Sequence, residues 1–241
     1  LVCLVGSEMC IRDRLTFKNI ESEISEIENG LYVSMNQDSV KVELSLNDLK
    51  LRLKNIRKIL INEHQSLFLD QLDDLILKVE IFGYHFATLD IRQDSRIHSY
   101  VFNKIIKKIK PNKFNNYTRS KYIEKSNFLS SIHGDFKPSF FSDELVSSTL
   151  GSIRAMQKIQ KSNGESGCHR YIISNNQTAI NILEVFTMFK ISGWKKNTFD
   201  IIPLFETISD LDIAVEIMDK IYSNYEYLSL IHISEPTRHT R

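Results

Sequence analysis

The segment from Val79 to His98 constrains the fold of this chain more than any other, because an apolar stretch runs directly into charged residues and then into a helical pattern. We interpret the apolar run from Phe82 to Ile91 as a buried strand, which ends at the charged residues Asp90 and Arg92. The residues that follow repeat at the spacing of an amphipathic helix, with apolar side chains at Ile97, Val101 and Ile105. In parallel α/β proteins, charged residues at the carboxyl end of a strand are the usual place for chemistry.

Two more strand and helix units follow, and helical patterning dominates the rest of the chain. The predicted strands are 170–174 and 199–205, and the predicted helices cover about 45–62, 69–79, 95–110, 143–160 and 179–191. Strands that alternate with helices form a parallel sheet through right-handed crossovers. Because a closed eight-stranded barrel takes about 250 residues or more, the sequence predicts a helix-rich α/β fragment of a TIM-like barrel, with about three barrel strands visible.

The two ends of the chain look foreign to the rest of it. Residues 4–14 and 228–238 can be encoded by opposite strands of one DNA sequence, which resembles the transposon adaptor used to prepare sequencing libraries. The alternative is a true inverted repeat in a gene. We expect adaptor-like artefacts at 1–14 and 228–241, which carry no information about the fold, and a single partial-barrel domain over 15–227.

Composition narrows the classes of partner. Without the two ends, the chain has 27 basic and 27 acidic residues, so charge gives no reason to expect nucleic acid or a membrane surface as partner. Cys168 is then the lone cysteine, which excludes an intrachain disulfide and favours a reduced, cytoplasmic setting. No apolar run approaches the roughly 20 residues that span a bilayer. A basic stretch over 104–121 contains interleaved aromatic residues, but the neutral total favours a solvated helix face over a nucleic-acid patch.

Arg92 is the first candidate functional residue. It follows Asp90 by two positions, so the two side chains share one face of the strand. A guanidinium offers a planar fork of donors that matches phosphate or carboxylate oxygens. The alternative is that Arg92 only pairs with Asp90 or Asp94 at a barrel rim.

Glu206, at the end of the third predicted strand, is a candidate metal ligand. Mg²⁺ binds through one or two carboxylates together with substrate oxygens and water, and an apolar strand would present Glu206 for that purpose. Alternatively, Glu206 caps the helix that begins at Ile208. Among the histidines, His98 lies near the charged strand end and is a weaker candidate for positioning a phosphate, whereas His85 is interpreted as a packed core residue.

Three motifs in order resemble phosphoenolpyruvate carboxylase. They are the residues LDIRQDS at 89–95 followed by His98, the strand YIIS at 171–174, and PLFET at 203–207 followed by Asp210 and Leu211. The resemblance covers most of 15–227. One departure is that Arg96 and Ile97 stand where many members carry a Thr-Arg pair.

The resemblance implies a function and a set of roles. Arg92 would bind the phosphate-bearing substrate or the carboxyphosphate intermediate, and Glu206 would be one of two acidic ligands of Mg²⁺ or Mn²⁺. The family joins bicarbonate to phosphoenolpyruvate, which gives oxaloacetate and phosphate, and is typically tetrameric.

The resemblance also implies that functional residues are missing. The family's histidine-bearing strand would lie upstream of Leu15, and its second metal carboxylate and its glycine- and arginine-rich loop downstream of Tyr227. We therefore expect the 241-residue polypeptide itself to be inactive. Two rival interpretations are another metal-dependent barrel lyase and a non-catalytic helical interaction module.

Overall fold

The structure, a computed structural model, describes residues 17–36, 44–195 and 198–228. The predicted adaptor segments lie outside these ranges, apart from Leu228. The described residues form two compact units: residues 17–36, 44–87 and 161–164, and residues 88–160, 165–195 and 198–228. The single domain over 15–227 stays a prediction. Within the described ranges, no helix is both long and apolar enough to cross a membrane.

The first unit is helical. Its helices are α1 (Lys18–Asn36), α2 (Leu46–Glu63) and α3 (Leu69–Phe82). Ser45 is the N-cap of α2, because its side chain accepts a hydrogen bond from the Asp48 N–H at 3.1 Å. The buried apolar residues of this unit are Ile20, Ile27, Leu44, Leu49, Leu53, Ile56 and Leu60.

The second unit contains a sheet and the remaining helices. In chain order its elements are β1 (Asp90–Asp94), α4 (Ser95–Ile109), α5 (Pro111–Arg119), α6 (Tyr122–Ser130), α7 (Glu144–Asn163), β2 (Arg170–Ser174), α8 (Ala179–Ile191), β3 (Asp200–Pro203) and α9 (Ile208–Tyr222). The strand at 170–174 and the helix at 179–191 have the bounds that the sequence predicts. Within the described residues the fold is a helix-rich α/β fold with a three-stranded parallel sheet in the order β1-β2-β3, as predicted.

The first predicted strand is wrong in its extent. Phe82 is the last residue of α3, and Gly83, where φ is 50°, is its C-cap. Strand β1 covers Asp90–Asp94, so Asp90 and Arg92 lie within the strand rather than at its end. The apolar residues that suggested a strand lie at the helix end and in residues 83–89, which join α3 to β1, and a short apolar run does not by itself distinguish helix from strand. His85 consequently lies half-buried in the intervening turn rather than on a strand.

The two faces of the sheet differ in burial. Register pairs Ile91 with Tyr171 and Tyr171 with Ile201 on the covered face, where Tyr171 is fully buried. Helix α4 packs against β1 and α8, and α8 packs against β3. The opposite face carries Arg92, Ile172 and Ile202, which are exposed or half-buried.

Candidate active site

The parallel register brings the carboxyl ends of the three strands to one edge of the sheet. Asp94 pairs with Ser174 in register, and the Leu204 N–H donates to the Ile173 carbonyl at 2.9 Å, one residue beyond β3. Glu206 therefore lies just past the end of β3, beside the turn that begins at Asn175. The functional roles that the sequence assigns to side chains at this edge stay a prediction.

Arg92 lies in the middle of β1 rather than past its end, and its side chain contacts Glu206 near this edge. The Arg92 Nη2 donates to Glu206 Oε1, and the other carboxylate oxygen, Oε2, accepts the Asn175 N–H at 3.1 Å. The Arg92 side chain is 56% exposed and that of Glu206 41%. Ion pairs this exposed contribute only about 0–1 kcal/mol to stability, so both groups can exchange their contact for a ligand at little cost to folding.

Arg92 pairs with neither Asp90 nor Asp94, and Glu206 does not cap α9. Asp90 pairs with Arg170 at 2.8 Å, so it is not the partner of Arg92. Asp94 caps α4 and pairs with Arg96. The cap of α9 is formed reciprocally by Thr207 and Asp210 and not by Glu206.

Asp94 also neutralises the second arginine of the segment. Its carboxylate accepts hydrogen bonds from the Arg96 side chain at 3.0 and 2.8 Å and from the Arg96 N–H at 2.8 Å. These contacts, with the side-chain hydrogen bond as the largest cause, lower the pKa of Asp94 to about 2. Asp94 is therefore charged at neutral pH and pairs with Arg96, whereas Arg92 pairs with Glu206.

His98 lies in the core rather than at the strand ends. It is fully buried, and its Nε2 is 2.9 Å from the Tyr171 hydroxyl. Burial lowers the pKa of His98 to about 4, so the ring is neutral at pH 7. Tyr171 is on the covered face of β2, opposite the face that carries Arg92, because neighbouring strand residues alternate. This placement gives His98 a packing contact, and the role in positioning a phosphate stays a prediction.

Glu206 fits a divalent metal as one ligand. It is a hard, partly exposed carboxylate of the kind that Mg²⁺ prefers. The described residues contain no group of three or more His, Cys, Asp or Glu side chains that could hold a metal by themselves. The remaining coordination positions would fall to water, substrate oxygens or other parts of the whole protein, which is the usual pattern for Mg²⁺.

Sequence reasoning missed Asn175 and a polar cavity elsewhere in the second unit. The cavity has a volume of about 620 Å³ and is lined by α4, α5, α6, α8 and α9. In it the buried Glu184 carboxylate accepts hydrogen bonds from the Tyr117 hydroxyl at 2.6 Å and the Ser99 hydroxyl at 2.9 Å. Burial raises the pKa of Glu184. A lone acid inside the apolar sequence of α8 is the signal that could have revealed it, and its satisfied oxygens indicate a structural role.

Comparison with known proteins gives one family model that matches most of the chain. Residues 9–238 match the family model described as phosphoenolpyruvate carboxylase. This range overlaps both ends that the sequence assigns to an adaptor, so that assignment stays a prediction.

Individual relatives carry the same name. The chain is 29% identical over 217 residues to the phosphoenolpyruvate carboxylase of Prochlorococcus marinus (strain MIT 9301), which covers 86% of the chain and 20% of that protein. It is 31% identical over 198 residues to the phosphoenolpyruvate carboxylase of Nitrosomonas europaea, which covers 77% of the chain and 21% of that protein. The chain thus spans about a fifth of the length of these curated relatives. Since the family model matches well over half of its residues, the chain belongs to the phosphoenolpyruvate carboxylase family.

Proposed function

We propose that the whole protein containing this chain is a carboxy-lyase that converts phosphoenolpyruvate and bicarbonate into oxaloacetate and phosphate. We further propose that the three strands belong to a TIM-like α/β barrel and that Mg²⁺ or Mn²⁺ is required. The observation that carries the proposal is the exposed ion pair between Arg92, on β1, and Glu206, beyond the carboxyl end of β3 in the same parallel sheet. Family membership supplies the reaction type.

The chemistry requires stabilisation of oxygen charge. Bicarbonate attacks the phosphoryl group of phosphoenolpyruvate, which forms carboxyphosphate and frees the enolate of pyruvate. Carboxyphosphate then breaks down to phosphate and carbon dioxide, and the enolate carbon attacks the carbon dioxide to form oxaloacetate. A preorganised cation beside the phosphoryl oxygens stabilises the charge that develops there, and Arg92 is suited to this role because its guanidinium matches phosphate oxygens.

Both residues of the ion pair can take part in this reaction by exchanging their mutual contact for a ligand. When a phosphate-bearing substrate arrives, Arg92 exchanges the Glu206 carboxylate for the phosphate oxygens. Glu206 Oε1, no longer paired with Arg92, would then be able to hold a divalent metal, while Oε2 keeps its contact with the Asn175 N–H. A bound Mg²⁺ would supply Lewis-acid neutralisation of substrate oxygens at this carboxylate.

The proposal is tested in the purified whole protein by following oxaloacetate and phosphate release. Arg92→Ala and Glu206→Gln should each lower turnover by about 100-fold or more. Matched exposed controls are Arg119→Ala in α5 and Glu124→Gln in α6, which should keep full activity.

The same experiment discriminates between the rival functions. Product formation without bicarbonate would indicate another barrel lyase. If Arg92→Ala and Glu206→Gln change only stability, the pair is a structural salt bridge and the helical interaction module is the better interpretation.

The setting of the whole protein is also a proposal. The resemblance to the family implies a homotetramer in the cytoplasm. The free, buried Cys168 suits a reducing compartment. Large apolar side chains are exposed on α3 and α9, including Leu75, Leu77, Ile81, Leu211 and Val215. Such side chains support burial against further parts of the protein or another subunit. Sedimentation of the whole protein would measure its subunit number.

A further inference from the structure

The turn after β2 has an unusual backbone. Asn175 has φ of 53°, in the left-handed region that few residues other than glycine adopt. Its N–H donates to Glu206 Oε2 at 3.1 Å, and its carbonyl accepts the Ser95 hydroxyl. One residue thus connects the end of β2 to Glu206, three residues beyond β3, and to the start of α4.

Ser95 is available for this contact because another residue caps its helix. Asp94 is the N-cap of α4 and accepts the Arg96 N–H. Ser95, the first residue of α4, is only 4% exposed and directs its hydroxyl to the Asn175 carbonyl instead. A buried hydroxyl–carbonyl contact between two elements restricts the backbone of both.

We propose that Asn175 is a positioning residue for Glu206. Its left-handed backbone, held by Ser95, directs the N–H at Oε2 and keeps the carboxylate oriented for a divalent metal after Arg92 has turned to the substrate. This inference rests on the proposed function, because it assigns Glu206 to a metal.

The chemistry of the turn favours this role. Asparagine adopts left-handed backbone angles more readily than most residues, whereas a β-branched residue is strongly disfavoured there. Backbone strain of this kind persists where the surrounding structure enforces it, often at functional sites. Loss of a hydrogen-bond partner of a metal ligand typically weakens metal binding by about 10- to 100-fold.

The test measures Mn²⁺ binding to the whole protein by electron paramagnetic resonance, without substrate, alongside the dependence of turnover on metal concentration. Asn175→Val should weaken Mn²⁺ binding by about 10-fold and raise the KM for metal more than it lowers kcat. Asn175→Gly, which keeps the N–H and tolerates positive φ, should restore affinity close to that of the wild type. Ser95→Ala should weaken binding in the same direction. The control is Gln177→Ala, which removes only a 3.3 Å side-chain contact to Asn175 and should change nothing.

The outcomes separate the inference from the proposed function. Unchanged Mn²⁺ affinity in folded Asn175→Val, or an equal loss in Asn175→Gly, overturns the positioning role. If Asn175→Val does not fold, the test relies on Ser95→Ala. Unchanged Mn²⁺ affinity in Ser95→Ala also overturns the positioning role. Mn²⁺ binding that Glu206→Gln leaves intact overturns both the metal role of Glu206 and this inference. If Mn²⁺ affinity falls in Glu206→Gln but not in the other variants, only the positioning role of Asn175 is overturned.

Discussion

Acidification from pH 7 to pH 4 should destabilise the sheet-containing unit through His98. The folded protein holds this ring fully buried and neutral beside the Tyr171 hydroxyl, with a pKa lowered to about 4 from 6.5. Between these two values the unfolded chain binds a proton that the folded chain does not. The stability contribution of the neutral ring is therefore complete above pH 6.5 and declines as the pH falls toward 4.

The expected size follows from the shift in pKa. Each unit of difference corresponds to about 1.4 kcal/mol, so the loss by pH 4 is about 3 kcal/mol. Carboxylates titrate in the same range, so the His98 contribution is isolated as a difference from His98→Gln, whose side chain keeps a polar contact but does not titrate. The gap in free energy of unfolding between the two proteins should narrow by about 3 kcal/mol between pH 7 and pH 4.

Urea unfolding followed by tryptophan fluorescence measures this gap. Trp194 is the single tryptophan in the chain, and its ring centroid lies 5.2 Å from that of Phe189 and 5.0 Å from that of Phe199 in the core of this unit. His133→Gln, at an exposed position, serves as the matched control and should track the wild type at every pH. A gap between wild type and His98→Gln that stays constant from pH 7 to pH 4 refutes the reasoning.

Two further predictions concern the core and the isolated chain. Phe189 is fully buried and stacks on Phe199 at 3.9 Å, so Phe189→Ala should lower the free energy of unfolding in urea by about 3–5 kcal/mol, with the exposed Phe140→Ala as a control that changes little. A loss of less than about 1 kcal/mol for Phe189→Ala, roughly the contribution of a single buried CH₂ group, would contradict the packing. The 241-residue chain alone should form no oxaloacetate above a Glu206→Ala background, because it spans only about a fifth of the length of its curated relatives. Product that disappears in Glu206→Ala would contradict this.

Local sequence signals predicted much of the secondary structure. The bounds of β2 and α8 are correct, because both segments combine a clear apolar pattern with a flanking turn or cap, such as Thr178 before α8. The strand predicted from Phe82 fails because its apolar residues belong to the end of α3 and to residues 83–89, which join that helix to β1. Gly83 ends the helix there, and a helix end of this kind is easily included in an apolar run.

The sequence by itself determined that strands alternate with helices and that the motifs are those of the carboxylase family. Glu206 lies beyond a strand as expected, whereas Arg92 lies within β1 rather than after it. Parallel pairing then follows from the alternation, because each helical crossover returns the chain in the same direction.

Only the tertiary structure decided which groups meet. Asp90 and Asp94 are nearer to Arg92 in sequence, yet the partner is Glu206, 114 residues away. Tertiary packing likewise buried His98 against Tyr171 and placed the Asn175 N–H on Glu206. The physical reason is that sequence periodicity fixes neighbours within one helix or strand, whereas contacts between distant segments depend on strand register and on the backbone angles of the turns that join them.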